Sequence, residues 1–344
     1  MKFTAAVLVE TNTPLELIDQ IEVPVLKDGQ VLVKLAYSGI CHSQLMEAAG
    51  LRGPDRYLPH LLGHEGTGSV VDVGKGVSKV QAGDDVILGW LKGKGMESGG
   101  TRYHSPIGSI NAGAVTTFNE YAVVSENRCY LLPKSIGLRE GVLMGCAIPT
   151  GTGLIENEIK LTNHNSIAII GLGGIGMSAL LAAIQKKPKL VIAVDTNPEK
   201  LSLAKKLGAD LCLNPATTSV YEAVSEATKG EMLDFSIEAA GTTQTIETAF
   251  SLLNSTNGLC VFASHPAKGD KIRLDPHELI CGKNIRGSWG GNADPERIVN
   301  SIENGCDKYP FSALLSDDYS LVDINQAMND LSKQRVLRAI VKIG

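Results

Sequence analysis

The stretch SIAIIGLGGIGMSALLAA, residues 166–183, decides the fold. It opens on the unbroken apolar run SIAIIG, turns on Gly171, Gly173 and Gly176 in GxGxxG spacing, and passes into the helix-forming run IGMSALLAAIQKK. A strand with no polar alternation is one buried on both faces, as in a parallel sheet. Glycines at such a strand-to-helix junction allow a tight turn and let backbone approach a pyrophosphate, whose charge the helix N-terminus stabilises. Gly174 and Ile175 complete that turn. Asp195, 19 residues beyond Gly176, ends the next strand, KLVIAVD. A carboxylate there hydrogen-bonds the adenosine ribose and repels a 2′-phosphate, so NAD is expected rather than NADP. The bland alternative, a doubly wound domain without nucleotide, does not call for this triplet in this context.

Outward from the triplet, strands and helices alternate. NPEKLSLAKKLG, VYEAVSEATKG and TIETAFSLL read as helices; ADLCLN, LDFSIEAAG and GLCVFASH read as strands. This rhythm predicts a Rossmann-type, doubly wound parallel sheet over residues 148–289. The first 135 residues read differently. AAVLVE, VLVKLAYSGI, TGSVVDVG, DDVILGW and FNEYAVVSENRCYLLP are β-branched or alternating runs between glycine-rich turns, an all-β, barrel-like pattern. After about residue 290 helix and strand mix and the chain ends in RAIVKIG. The expected organisation is an α/β protein of two domains, the first built from 1–147 and 290–344.

Composition narrows the function. Apolar residues make up 43% and charged residues 20% of the 344, with a net charge of -5. That balance leaves no basic footprint for nucleic acid or an anionic membrane. No run of about 18 apolar residues occurs, and MKFTAAVLVE enters a strand pattern rather than a signal peptide. The seven cysteines (41, 129, 146, 212, 260, 281, 306) are scattered without CxxC pairs, which predicts reduced thiols in a cytoplasmic protein.

Three places carry candidate chemistry. SGICHSQLMEAAG, residues 38–50, sets Cys41 beside His42. Read as strand, the pair would face opposite ways, so one metal could hardly take both. LPHLLGHEGTGSVVDVGKGV, residues 58–77, places His64 and Glu65 between glycines. LMGCAIPTGTG puts Cys146 in a small-residue turn where the β half meets the βαβ half. Isolated cysteines are usually small buried hydrophobes, and these residues alone leave that reading open.

From GICHS through GHEGTG, FNEYAVV, GCAIPTG and GLGGIG to LRAIVKI, the chain resembles the zinc-dependent alcohol dehydrogenases of the medium-chain dehydrogenase/reductase superfamily. The resemblance runs end to end and is closest to the branch of classical and glutathione-dependent enzymes. It implies a GroES-like β-barrel catalytic domain beside the Rossmann coenzyme domain. It implies reversible hydride transfer between an alcohol and NAD⁺, giving an aldehyde or ketone. A polyol or sugar-derivative dehydrogenase with the same zinc and NAD is the alternative. A non-catalytic NAD-binding protein would have no use for the metal set.

The resemblance further implies that Cys41, His64 and Cys146 bind one catalytic Zn²⁺. Alcohol dehydrogenases are themselves the usual illustration of such a Cys₂His set with an open fourth position. By the same resemblance, His42 contacts the cofactor pyrophosphate, Ser43 hydrogen-bonds the substrate hydroxyl, and Glu65 stands behind the metal. Thr150, Lys200 and Arg338 join the glycine loop and Asp195 as cofactor residues, Arg338 reaching the phosphates. Trp90 forms a pocket wall, opposite a roomier side at Ala112 and Gly113. A homodimer or homotetramer is expected, acting on small alcohols, aldehydes or ketones.

Three departures stand out. No cysteine lies between Cys41 and Cys129, so the four-cysteine lobe of many relatives is absent. The shorter loop LKGKGMESGGTRYHSPIGSINAGAV takes its place, His104 cannot substitute for four ligands, and one zinc per subunit is expected. Gln44 replaces the aspartate behind the zinc-bound histidine. Met46 replaces a proton-relay histidine.

Overall fold

In the computed structural model, residues 1–303 and 310–344 are described, and Cys306 lies outside them. The remaining six cysteines are all unpaired thiols. The described residues fall into two units, one of Met1–Cys146 with Asp294–Gly344, the other of Ala147–Ala293.

The first unit is built on ten strands before residue 132: β1 (Lys2–Leu8), β2 (Glu16–Glu22), β3 (Gln30–Ile40), β4 (His60–Leu61), β5 (Glu65–Val73), β6 (Asp85–Gly89), β7 (Thr101–Ser105), β8 (Gly108–Ala112), β9 (Tyr121–Ser125) and β10 (Cys129–Leu131). β1, β2, β7, β8 and β4 close a barrel in that order. Its interior is filled by Phe3, Ile21, Tyr103 and Ile110, with the rings of Phe3 and Tyr103 edge to face at 5.4 Å. The β7–β8 hairpin corrects the sequence reading, which left residues 91–115 as a loop. TRYHS and GSINA alternate buried with exposed, and Gly108, at φ +103°, supplies the left-handed turn between them. β2, with one fully buried residue (Ile21), was too polar to be recognised as a strand.

The second unit contributes β11 (Ser166–Ile170), β12 (Leu190–Val194), β13 (Leu211–Leu213), β14 (Phe235–Glu238), β15 (Leu259–Phe262) and β16 (Asn284–Gly287). They form a six-stranded parallel sheet in the order β13-β12-β11-β14-β15-β16. Counted within this unit the order is 3-2-1-4-5-6, the doubly wound Rossmann arrangement, which reverses direction beside β11. All five residues of SIAII are buried, as a central parallel strand requires. The chain then returns to the first unit with β17 (Asp318–Ser320) and β18 (Ala339–Lys342). β18 pairs antiparallel with β3, setting Ala339 against Ile40. That register brings the chain's last strand to the residue before Cys41. Among the described residues, no helix is long and apolar enough to cross a membrane.

Candidate metal centre and coenzyme site

β3 ends at Ile40, and Cys41 is the extended residue capping the helix His42–Ala48. The sequence reading treated Cys41 and His42 as strand neighbours. The helix cap, not strand pleat, separates them, leaving Cys41 buried and His42 exposed. His64 follows Gly63, whose φ of +87° forms the turn into β5. A Cβ on Gly145 would lie 2.3 Å from the Leu88 carbonyl oxygen, so only glycine brings the chain close enough to β6 before Cys146.

These three segments bring one ligand atom each of Cys41, His64 and Cys146 within 4.8 Å of one another. His64 Nε2 lies 3.3 Å from Cys146 Sγ. The hydrogen bond between the thiols, with the Arg338 charge and a hydrogen bond from His64 adding to it, holds the Cys41 thiol well below its usual range despite burial. The same bond raises Cys146. A metal binding here would displace the thiol protons. Ser43, on the first turn of the helix, has a buried Oγ with no hydrogen-bond partner among the described residues. Two thiols, an imidazole nitrogen and an unsatisfied hydroxyl fit a zinc ion with one open position.

Behind the sulfurs lies a contact that sequence reasoning missed. Glu65 is fully buried, and its carboxylate pairs with Arg338 Nε at 3.1 Å. Arg338 also donates to the Ile40 carbonyl at 3.2 Å. The resemblance linked this arginine to the cofactor phosphates alone; nothing in the sequence ties it to Glu65. His64 Nδ1 meets Gln44 Nε2 at 2.5 Å. The rings of Trp90 and His64 stand 6.3 Å apart, tilted by 59°. Ala112, expected on the roomy side of the pocket, instead packs in the barrel core with Tyr103 and Ile110, and Gly113 is exposed. The resemblance does not separate a pocket wall from a strand end here, because the glycine-rich segment reads as loop.

Glu47, Asp55 and His60 form a second convergent group. Its polar atoms are already engaged: Asp55 accepts from Tyr57 N–H and pairs with His60, and Glu47 pairs with Arg52.

The coenzyme residues gather at the end of β11. Gly171 has φ +88°, and a Cβ there would meet Ala240 N at 2.5 Å. A Cβ on Gly176 would lie 1.8 Å from the Gly171 carbonyl oxygen. Gly173 differs, since a Cβ there would meet nothing within 4 Å. The first and third glycines are therefore required by packing, and the middle one borders open space at the N-terminus of the helix Gly174–Gln185. Gly174 and Ile175 start that helix half-exposed, with first-turn N–H groups available to an anion. Asp195 Oδ2 accepts from Leu172 N–H at 2.7 Å and Oδ1 from Asn197 N–H at 2.8 Å, which fixes the carboxylate beside the loop. Lys200 Nζ stands 3.8 Å from it. The Thr150 hydroxyl is buried without a partner among the described residues, and so is that of Thr152, which the sequence reading did not single out. The open space at Gly173, the helix N-terminus and the anchored carboxylate fit a dinucleotide.

Comparison with known proteins agrees with this geometry. Residues 27–134 match the alcohol dehydrogenase GroES-like domain and residues 174–304 match the zinc-binding dehydrogenase domain. An S-(hydroxymethyl)glutathione dehydrogenase from Synechocystis is 30% identical over 99% of this chain and 100% of its own. Among solved structures, an alcohol dehydrogenase zinc-binding domain protein from Burkholderia ambifaria superposes with a TM-score of 0.90 at 27% identity, covering 100% of this chain and 99% of its own. Benzyl alcohol dehydrogenase from Acinetobacter calcoaceticus does so with 0.88 at 28% identity and full coverage of both chains. The chain is an oxidoreductase and belongs to the zinc- and NAD-dependent alcohol dehydrogenases of the medium-chain dehydrogenase/reductase superfamily.

Proposed function

We propose that this enzyme oxidises a primary alcohol carrying an apolar or aromatic substituent, reversibly, with Cys41, His64 and Cys146 as the zinc ligands. The observation that carries the reading is the convergence of those three ligand atoms beside the unsatisfied Ser43 hydroxyl. Zinc, when bound, supplies a Lewis acid that lowers the pKa of the substrate hydroxyl, and NAD supplies the hydride acceptor. Ser43 Oγ hydrogen-bonds the substrate hydroxyl and takes the first step in removing its proton. Met46 cannot carry that proton further, so the proton leaves through water, the coenzyme ribose or another group. Trp90 gives the substituent a flat face near His64, which supports an aromatic alcohol, the class named in the Acinetobacter relative. The shortened segment 91–115 argues against the bulky glutathione adduct named in the Synechocystis relative.

The N–H groups of Gly173, Gly174 and Ile175 hold the coenzyme pyrophosphate, and His42 is taken as a further donor to it. Asp195 and Lys200 address the adenosine ribose and Thr150 the nicotinamide end, while Glu65 balances Arg338, whose guanidinium is taken up by that carboxylate and the Ile40 carbonyl rather than left for the phosphates. The catalytic domain is taken as 1–147 with 290–344 and the coenzyme domain as 148–289, which the separate packing of the two units supports. The free thiols support a cytoplasmic setting. Among the described residues β16 pairs on one side only, and Ile280 and Trp289 flank it 82% and 72% exposed, which supports a homo-oligomer.

The test is NADH formation at 340 nm with benzyl alcohol, ethanol, sorbitol and a formaldehyde–glutathione mixture. Highest kcat/KM with benzyl alcohol is expected. Turnover confined to sorbitol would make the polyol reading correct, and turnover confined to the glutathione adduct would remove the aromatic one.

A further inference from the structure

Gln44 is 2% exposed and sits between two groups that both bear on the metal centre. Its Oε1 accepts from the Cys41 backbone N–H at 2.9 Å, and its Nε2 lies 2.5 Å from His64 Nδ1. The amide's orientation follows from chemistry. A backbone N–H can only donate, so the oxygen must face Cys41 and the NH₂ must face the ring. That NH₂ donates to Nδ1, which therefore holds the lone pair. A neutral imidazole carries one ring proton, so the proton sits on Nε2, the nitrogen 3.3 Å from Cys146 Sγ.

Metal ligation needs the reverse. Nε2 must present its lone pair, the proton must move to Nδ1, and Nδ1–H then needs an acceptor. Gln44 can supply one only by turning its amide over. The NH₂ would then face the Cys41 N–H, donor against donor, and the bond that caps the helix His42–Ala48 would be lost. A carboxylate in this place has two acceptor oxygens and serves both donors at once.

We propose that Gln44 is a positioning residue that opposes metal ligation by His64, so that loading the site requires its amide to turn and release the Cys41 N–H. The proposal rests on Cys41, His64 and Cys146 being the metal ligands. It makes the resting site a weaker zinc binder than the same site with a carboxylate, and it couples metal loading to the cap of the helix that carries His42 and Ser43.

The test is equilibrium competition for Zn²⁺ between the full-length protein and a chromophoric chelator, for wild type, Gln44→Glu, Gln44→Asp and Cys41→Ala. Both carboxylate variants are included in case one does not fold. Changing the group that hydrogen-bonds a metal-ligating histidine alters metal affinity by about 10–100-fold, so either carboxylate variant should bind zinc at least about tenfold more tightly than wild type. Hydrogen exchange at the Cys41 amide gives a second readout: zinc should speed it in wild type and leave it slow in Gln44→Glu. Carboxylate variants no tighter than wild type, or a Cys41 amide equally protected with and without zinc, would overturn the proposal. If Cys41→Ala binds zinc as well as the others, the ligand assignment itself falls and the proposal with it.

Discussion

Arg338 Nε lies 3.1 Å from Glu65 Oε1, joining positions 273 apart in the chain in an ion pair sealed from solvent. Arg338 also holds the carbonyl of Ile40, the residue before Cys41, so the pair ties β18, β5 and the end of β3 together. Breaking a buried pair by removing one partner strands the other charge and costs about 3–5 kcal/mol. Arg338→Met should therefore lower the thermal midpoint by many degrees. Arg335→Ala, which breaks the more exposed pair with Asp330, should cost under about 1 kcal/mol. Comparable melting of the two variants would show that the buried pair contributes no more than a surface one.

The glycine loop separates packing from ligand binding. Gly176→Ala would force a Cβ to 1.8 Å from a backbone oxygen and should destabilise the coenzyme unit outright. Gly173→Ala meets nothing within 4 Å and has an ordinary φ of -75°, so its melting should match wild type. Its NADH affinity should fall, because the added methyl enters the space that the pyrophosphate needs. Fluorescence titration with NADH checks this, and an unchanged Kd for Gly173→Ala would place the phosphates elsewhere.

Asp195 should favour NAD over NADP by excluding the 2′-phosphate. The carboxylate also holds Leu172 N–H and Asn197 N–H, so removing it has two effects. Asp195→Gly should narrow the ratio of kcat/KM for NAD over NADP and also lower stability by about 1–3 kcal/mol, as buried donors lose their acceptor. A wild-type preference for NADP would contradict the assignment.

A buried carboxylate fastens the start of the segment 91–115 to the turn at Ser78 and Lys79. Glu126, 1% exposed, accepts from the backbone N–H groups of Ser78, Lys79 and Met96 at 2.7–2.8 Å. Burial alone would raise its pKa; those bonds outweigh burial and hold it below the usual range. A carboxyl whose folded pKa is lowered stabilises fully above its unfolded pKa, about 4.3, and ceases to do so as pH falls through the folded value. The stability gap between wild type and Glu126→Gln should be widest near neutral pH and close below about pH 4. Denaturant melts across that range measure it. A gap that widens in acid would reverse the sign.

How much of this was legible depended on the distance over which residues act. The glycine triplet, Asp195 and the βαβ rhythm are local, and the parallel sheet follows them closely. Cys41, His64 and Cys146, which converge in the fold, could be singled out because each sits in a distinctive short string. The Glu65–Arg338 pair could not, since its geometry comes from β18 lying beside β3, a pairing no local pattern announces. The β7–β8 hairpin was hidden by glycines and polar residues, because one face of each strand is wet. Cys41 and His42 were rightly separated for the wrong reason: a helix cap, not strand alternation, turns them apart.

The most direct measurement is zinc per chain, by elemental analysis, in wild type, Cys41→Ala and His42→Ala, with NADH affinity measured alongside. The catalytic-site rule of three protein ligands gives about one zinc in wild type. His42→Ala should keep that zinc while losing about 1.5–3 kcal/mol of NADH binding, the range for a hydrogen bond to a charged group. Cys41→Ala should lose zinc and activity together. A Cys41→Ala protein that retains its zinc while His42→Ala loses it would contradict the account at its centre.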